Sequence, residues 1–173
     1  MELRLDLHIH SERSFDGCMS LSEIVALARE RGLNGVAICD HDRVLDEVPE
    51  FDDFLVIPAT EVSTERGHLL GLFVREPIET RTFSESVTAI HAQGGLAVIA
   101  HPFEHSTDAN RLDDVMSRLD GVEIWNSRAD RKNKSANAMA RELAQKWKKP
   151  VTAGSDAHVP EEVGGGVTVL EAD

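Results

Sequence analysis

The amino-acid sequence predicts an α/β fold: a mostly parallel sheet closed into a small barrel, with helices outside. Three observations carry this expectation. Strand-like runs alternate with helix-like runs from end to end. One of them, Leu96 to Ala100, is continuously apolar, as a strand covered on both faces should be. Nearly every strand-like run also has a histidine or carboxylate at one end, and in a parallel barrel the carboxyl ends of the strands are where active sites lie.

The first strand is expected from about Leu3 to Ile9, with apolar residues at alternate positions. A helix follows from about Leu21 to Arg31, with Ser20 and Glu23 as a capping box and Gly32 as its stop. Gly35 to Cys39 reads as the second strand, Phe54 to Ile57 running on to Glu61 as the third, and Leu69 to Val74 as the fourth. Between them, Asp42 to Asp53 reads as a short helix or a loop. A helix from about Phe83 to Gln93 is opened by Thr82 with Glu85 and closed by Gly94-Gly95. After the fifth strand at Leu96 come a helix near Arg111 to Leu119 and a sixth strand from Val122 to Trp125. A long helix over about Lys134 to Lys148 ends before Pro150, and Val151 to Ala153 is the seventh strand. Val167 to Leu170 reads as an eighth strand or a tail.

The length of 173 residues fits one domain, residues 1–173, with room for a real core. The formal net charge is −13, from 18 basic and 31 acidic residues. A surface of that sign repels nucleic acid and anionic membranes, which argues against stable nucleic-acid binding. Cys18 and Cys39 are the only cysteines, so a thiolate zinc knuckle is excluded and a structural disulfide is not expected. The N-terminal stretch carries no apolar signal core, and no run approaches the roughly 18 apolar residues of a membrane span. A cytoplasmic protein is the expectation.

The chemistry is concentrated where strands end. The first delivers His8 and His10, two apart and therefore on one face, with Asp6 expected beside them. The second ends in Asp40-His41-Asp42 and the third in Glu61. His68 opens the fourth, His101-Pro102 ends the fifth, and the sixth supplies Glu123 and Asn126. Ser155-Asp156-Ala157-His158 ends the seventh. Imidazole and carboxylate together suit zinc, manganese or iron, and several cations close together need shared carboxylates between them. A lone His-x-His or an isolated turn histidine is weak as a metal signal. Six of the eight histidines at strand ends is a joint pattern that chance placement would scatter. The remaining two fit blander roles: His91 lies inside a helix, and His105 follows the His101–Glu104 turn. Cys39, Trp125 and Trp147 read as packing residues.

At this point the pattern resembles the PHP family, the polymerase and histidinol phosphatase domain. The matching stretches are DLHIHSERSFDG, CDHD, TEVSTERGHLLGLF, AHPF, VEIWN and GSDAH, in the family's order from residue 6 to residue 158. The resemblance implies a distorted (β/α)7 TIM-like barrel holding two or three divalent ions. His8, His10, Glu61 and Asp156 would hold one ion. Glu61 would bridge to a second ion, also held by His68 and His101, and Asp16, His41 and His158 would hold a third. Asp6, Asp42, Glu123 and Asn126 would support ligands or handle protons. Stand-alone phosphoesterases of the family often carry a helical insertion between the Glu61-like and His101-like segments. Here only about forty residues separate the two, so a more open site is expected.

The reaction this implies is hydrolysis of small phosphate monoesters, nucleotides or histidinol phosphate among them, with a metal-activated hydroxide as nucleophile. Asp42 or His158 is expected to pass a proton to the leaving group. Arg13, in the loop after His10, is the first candidate to grip phosphate, and Arg128 the next. Two other functions fit the same residues. One is an accessory domain of the DNA-polymerase type, and the other a metal-dependent amidohydrolase acting on C–N bonds. The completeness of the ligand set weighs against the first, and the absence of lysine from the strand ends against the second.

Overall fold

The computed structural model describes residues 2–80 and 82–171. In chain order its principal elements are β1 (Glu2–Ile9), α1 (Leu21–Glu30), β2 (Gly35–Ile38), β3 (Leu55–Thr64), β4 (Gly67–Leu72) and α2 (Phe83–Ala92). They continue with β5 (Leu96–Ile99), β6 (Gly121–Asn126), α3 (Ser127–Lys132), α4 (Ala136–Trp147), β7 (Val151–Gly154) and β8 (Thr168–Glu171). All eight strands form one sheet in the order β7-β6-β5-β4-β3-β2-β1-β8, and it curls into a nearly closed TIM-like barrel.

Closure divides β1 in two. Its first half pairs antiparallel with β8, from Glu2↔Glu171 to Leu5↔Thr168. Its far end pairs with the segment that follows β7, where Asp156 N donates to His8 O at 2.8 Å and His10 N to Ala157 O at 2.9 Å. Thr168 ties β8 to β7 through its hydroxyl, which accepts from Ala153 N at 2.8 Å and donates to Ala153 O at 2.9 Å. The stretch Val167 to Leu170 thus contributes a strand rather than a tail.

Three apolar layers hold the barrel. Leu5, Leu7, Ala37, Ile57, Ala59, Leu70, Leu72 and Val98 fill its interior below the functional end. Helix α1 covers one flank with Ile24, Val25 and Ala28, packed with Ile9, Val36 and Leu33. Helices α2 and α4 cover the other with Phe83, Val87, Ile90, Ala140 and Leu143. The Ser20–Glu23 capping box forms: Ser20 Oγ accepts from Glu23 N at 3.3 Å and Ser20 N donates to Glu23 Oε2 at 2.8 Å. Thr82 Oγ1 accepts from Glu85 N at 3.4 Å, and Phe83 N finds the Glu65 carboxylate at 2.7 Å.

The structure differs from the sequence-based reading at identifiable places. β4 is antiparallel to both neighbours, a hairpin partner of β3, so its first residues lie at the functional end. The expected helix near Arg111 to Leu119 is a series of turns with one 3₁₀ turn, Met116–Arg118. Leu112, Val115, Met116 and Leu119 are buried at helical spacing, but the backbone bonds among them are mostly of the i+3 kind, Val115 N to Leu112 O at 3.0 Å and Leu119 N to Met116 O at 3.3 Å. The segment from Asp42 to Asp53 is a loop. The helix expected from Lys134 begins at Ala136, preceded by the short α3, which Asn126 caps by accepting from Ala129 N at 2.8 Å.

The largest departure is a change of face within β1. Strict alternation puts Asp6 beside His8 and His10. The β1–β2 register is irregular between Asp6 and Ile9, and there the inward set changes. Leu5 and Leu7 belong to the barrel interior, whereas Ile9 packs on α1. An extra residue in one strand re-aims the side chains beyond it. Asp6 consequently serves as a staple: it accepts from Ser155 N at 2.9 Å, Gly164 N at 2.8 Å and His8 N at 3.3 Å.

Gly154 closes the barrel where no side chain fits. A Cβ there would lie 2.3 Å from His8 Cβ and 2.9 Å from Glu123 Oε1. Gly154→Ala is therefore expected to lower unfolding stability by about 1–3 kcal/mol, the usual cost of overpacking. Urea titration of the two proteins checks it, and equal midpoints would contradict the close approach.

Candidate metal centre

Nine side chains that the sequence analysis singled out meet at one mouth of the barrel. Their focus is Glu61, on β3, only 1% exposed. Its Oε1 is 2.8 Å from His68 Nδ1, 2.9 Å from His101 Nε2 and 3.6 Å from His8 Nε2. Its Oε2 is 3.2 Å from His41 Nδ1 and 3.3 Å from His10 Nε2. Asp156 approaches from the end of β7, with Oδ1 3.2 Å from His10 Nε2 and 3.6 Å from His8 Nε2. Asp16 Oδ2 stands 3.0 Å from His158 Nε2 and 3.4 Å from His41 Nε2.

The histidines are aimed by their outer nitrogens. His8 Nδ1 is 2.9 Å from Glu123 Oε1, His10 Nδ1 3.1 Å from Ser14 Oγ, and His101 Nδ1 3.1 Å from Glu104 Oε2. His158 Nδ1 bonds the Asp156 carbonyl at 2.9 Å. Each ring then turns Nε2 inward, the nitrogen through which an imidazole so oriented can bind a cation. The Nε2 atoms of His8 and His10 are only 3.2 Å apart, a convergence that a proton or a shared cation can satisfy. Three sets have donor atoms within 4.8 Å of one another: His10, Asp16, His41 and His158; His8, His10 and Asp156; and His8, Glu61 and His101. The donor set fits two or more divalent cations. It differs from the grouping the resemblance implies in one respect: His10 lies within reach of the Asp16 set as well as of His8 and Asp156.

Backbone strain helps to aim these groups. Asp42, His101 and Asp156 adopt positive φ values of 54°, 26° and 56°, a region ordinary side chains seldom occupy. Each stands just beyond a strand end, where the chain turns sharply. Such strain gathers at functional sites.

Protonation in the metal-free cluster follows from burial and charge together. Burial alone would depress the His8, His10 and His101 pKa values. For His8, the charges of Asp156, Glu123 and Glu61 reverse that and hold it well above its usual value. Hydrogen bonds to Asp156 and Glu61 bring His10 to about 9, and Glu61 brings His101 to about 9. Burial would raise Glu61, yet the His8 charge and the hydrogen bonds from His10, His101 and His68 hold it well below the carboxylate range. Burial lowers His41 and His158, and the like charge of His10 adds to the effect. Burial lifts Asp6 to about 6 and pushes the Cys39 thiol up, leaving it inert.

Some expected groups are elsewhere. Arg13 pairs with Asp46 at 2.7 Å, and the grooves it lines contain none of the nine residues. Arg128 pairs with Glu162 at 3.5 Å. Asp42 accepts from Ser63 N at 3.3 Å, one residue from His41. Asn126 donates to Glu123 at 3.0 Å and to Asp156 at 3.3 Å. Ser14, not singled out from sequence, links the His10 ring to His41 N at 2.9 Å, and Asp40, named there at the end of the second strand, anchors Ser11 N at 2.6 Å. Arg66 and Arg111 line a recess of about 240 Å³ beside His68 and His101. The proximity of Ser14 to His10 and of Arg66 to His68 in sequence is a usable signal; nothing local marks Arg111.

Comparison with known proteins places the chain in a family. The PHP domain family matches residues 6–65, and the PHP-associated family matches residues 134–173. An uncharacterised protein of Methanocaldococcus jannaschii is 33% identical over 166 residues, covering 83% of this chain and 95% of its own. A protein of Shewanella amazonensis named as a probable phosphatase is 24% identical over 202 residues, covering 95% of this chain and 80% of its own. Among solved structures, a two-domain protein from Bacteroides vulgatus, described as containing a predicted PHP-like metal-dependent phosphoesterase, superposes with a TM-score of 0.73 at 19% identity. That match covers 94% of this chain and 54% of the two-domain chain.

Coordination requires neutral imidazole. The surrounding carboxylates hold His10 and His101 up at about 9, so a cation bound by these rings would displace protons. Cation uptake at pH 7 is therefore expected to release protons, with affinity rising from pH 6 toward pH 9 and falling as acid competes for the rings. Calorimetric titration with manganese in buffers of different ionisation enthalpy reads the protons released. Heats independent of buffer would contradict it.

Proposed function

This chain belongs to the PHP family and is a metal-dependent hydrolase, and from that premise we propose that it hydrolyses small phosphate monoesters. The observation that carries the reading is Glu61, a buried carboxylate whose two oxygens face different sets of histidines. The proposal takes His8, His10, Asp16, His41, Glu61, His68, His101, Asp156 and His158 as ligands of two or three ions of the zinc, manganese or iron kind. Such ions supply a hydroxide at neutral pH and offset charge on the phosphoryl oxygens. Residues 1–173 act as one hydrolase unit in this reading.

The side chains have distinct tasks. Glu123 orients His8 through Nδ1 and holds His101 N at 2.8 Å, so one carboxylate positions two rings. Asn126 holds Glu123 and Asp156 in register. Burial keeps His158 neutral at pH 7, which suits it to coordination. Of the two groups expected to pass a proton to the leaving group, His158 stands in the cluster, whereas Asp42 lines the groove of Arg13 outside it. A net charge of −13 favours small esters over polyanionic chains. No helix among the described residues is long and apolar enough to cross a membrane, and both cysteines are free, which supports a cytoplasmic setting.

Screening phosphomonoesters, phosphodiesters and amides with added manganese or zinc tests the reading; turnover of amides alone would contradict it. Glu61→Gln keeps the size but removes the charge that offsets cation repulsion. It is expected to cut phosphate release by on the order of a thousandfold and to lower bound metal, several kcal/mol of stabilisation being at stake. His91→Ala is the comparison: His91 is 41% exposed and paired with Asp120 at 2.7 Å, and its loss should leave rate and metal content near normal. A Glu61→Gln protein with full metal and near-normal rate would remove Glu61 from the site.

A further inference from the structure

Phe15 is 87% exposed, the most exposed large apolar side chain among the described residues. Its position is not that of a stray surface residue. Its ring lies over His41, centroids 5.0 Å apart and planes 25° from parallel. The residues on either side are part of the cluster: Ser14 Oγ bonds the His10 ring and His41 N, and Asp16 faces His41 and His158.

The loop that carries Phe15 is fixed. Ser14 N donates to Ser11 O at 3.0 Å, Gly17 N to Ser14 O at 3.3 Å, Glu12 N to Met19 O at 2.7 Å and Cys18 N to His158 O at 3.2 Å. Gly17 packs so closely that a Cβ would lie 2.1 Å from Ser11 O. The backbone therefore places a large exposed apolar ring at the rim of the cluster, stacked on His41. Phe83, Phe103 and Phe54 are buried. Phe73 is also exposed, but it follows β4 and lies at the other end of the barrel.

We propose that Phe15 is the platform for the leaving group: it stacks on a planar ring in the alcohol portion of the substrate, and so selects phosphate esters that carry such a ring, nucleoside esters in particular. This rests on the phosphoester reading above. With the phosphoryl group at the cluster, the alcohol portion leaves through the open mouth, where the Phe15–His41 pair presents an aromatic face. Stacking is tolerant of ring identity because every base has a π-face, and its loss on truncation to alanine corresponds to about five- to a hundredfold in affinity. A preorganised ring loses little entropy when it binds.

The probes are the methylenephosphonate analogues of adenosine 5′-monophosphate and ribose 5-phosphate, which bind without turnover and differ only in the base. Calorimetry with the manganese-loaded protein is expected to show the base-bearing analogue binding about tenfold more tightly. In Phe15→Ala the ratio should fall to about one, and in Phe15→Trp it should persist. The parallel kinetic readout is the ratio of kcat/KM for the two parent phosphates, which share a primary alkoxide leaving group. Equal binding of the two analogues by the unmodified protein, or a ratio that survives Phe15→Ala, overturns the platform alone. Failure of both analogues to bind, with no hydrolysis of either phosphate, overturns the phosphoester reading and the platform with it.

Discussion

A fully buried carboxylate surrounded by histidines is the constraint on which the rest of this structure depends. Glu61 is cut off from water, and an isolated charge there would be prohibitively costly. Five imidazoles offset that cost in the metal-free protein by gathering around its two oxygens. Cations do the same when bound, replacing protons on the rings. The arrangement is self-consistent only with both partners present. Removing the carboxylate leaves like charges facing each other, and removing the cations leaves their place to protons, so charge balance and metal binding are one property of the site.

Placing so many polar groups at one point requires the sheet to deviate from regularity. The irregularity in β1 turns the inward face from Leu5 and Leu7 to the two histidines, and a second, between Glu123 and Trp125 in β6, accompanies Glu123 and Asn126 in the same region. The reversal of β4 brings its opening residue, His68, to the mouth where the other strands finish. Positive φ at His101 and Asp156 completes the turn of their side chains inward. Below them the barrel is filled with aliphatic side chains, so the polar cluster rests on a dry floor. Glu123, Asn126 and Asp6 link these strands across the seam where the barrel closes, which joins the fold's closure to the aim of the ligands.

Much of this was legible in sequence because strand ends are legible. Apolar runs and capping residues located seven strands and three of the helices, and the polar residue after each run then fell at one end of a parallel array. The route fails where tertiary contacts override local pattern. Alternation could not reveal the bulge that separates Asp6 from His8. Helical spacing at Leu112, Val115, Met116 and Leu119 reflects burial on one side of a series of turns rather than a continuous helix. Arg13 follows His10 closely, yet the nearby Asp46 captures it, while Arg66, two residues before His68, and Arg111, from a segment with no matching motif, line the recess beside His68 and His101. Most of the clustered histidines and carboxylates are readable because they sit at or just beyond strand ends, Asp16 in the loop after β1 being the exception; groups at the rim come from loops whose course depends on the whole fold.

The central claim is that the two oxygens of Glu61 serve different cations. Anomalous diffraction from manganese-soaked crystals tests it most directly, because it locates each ion independently of any reaction. The account predicts at least two anomalous peaks, one within coordination distance of each Glu61 oxygen, with His10 and His101 among their neighbours. A single peak touching only one oxygen, or manganese bound elsewhere with Glu61 still enclosed by histidines alone, would contradict it.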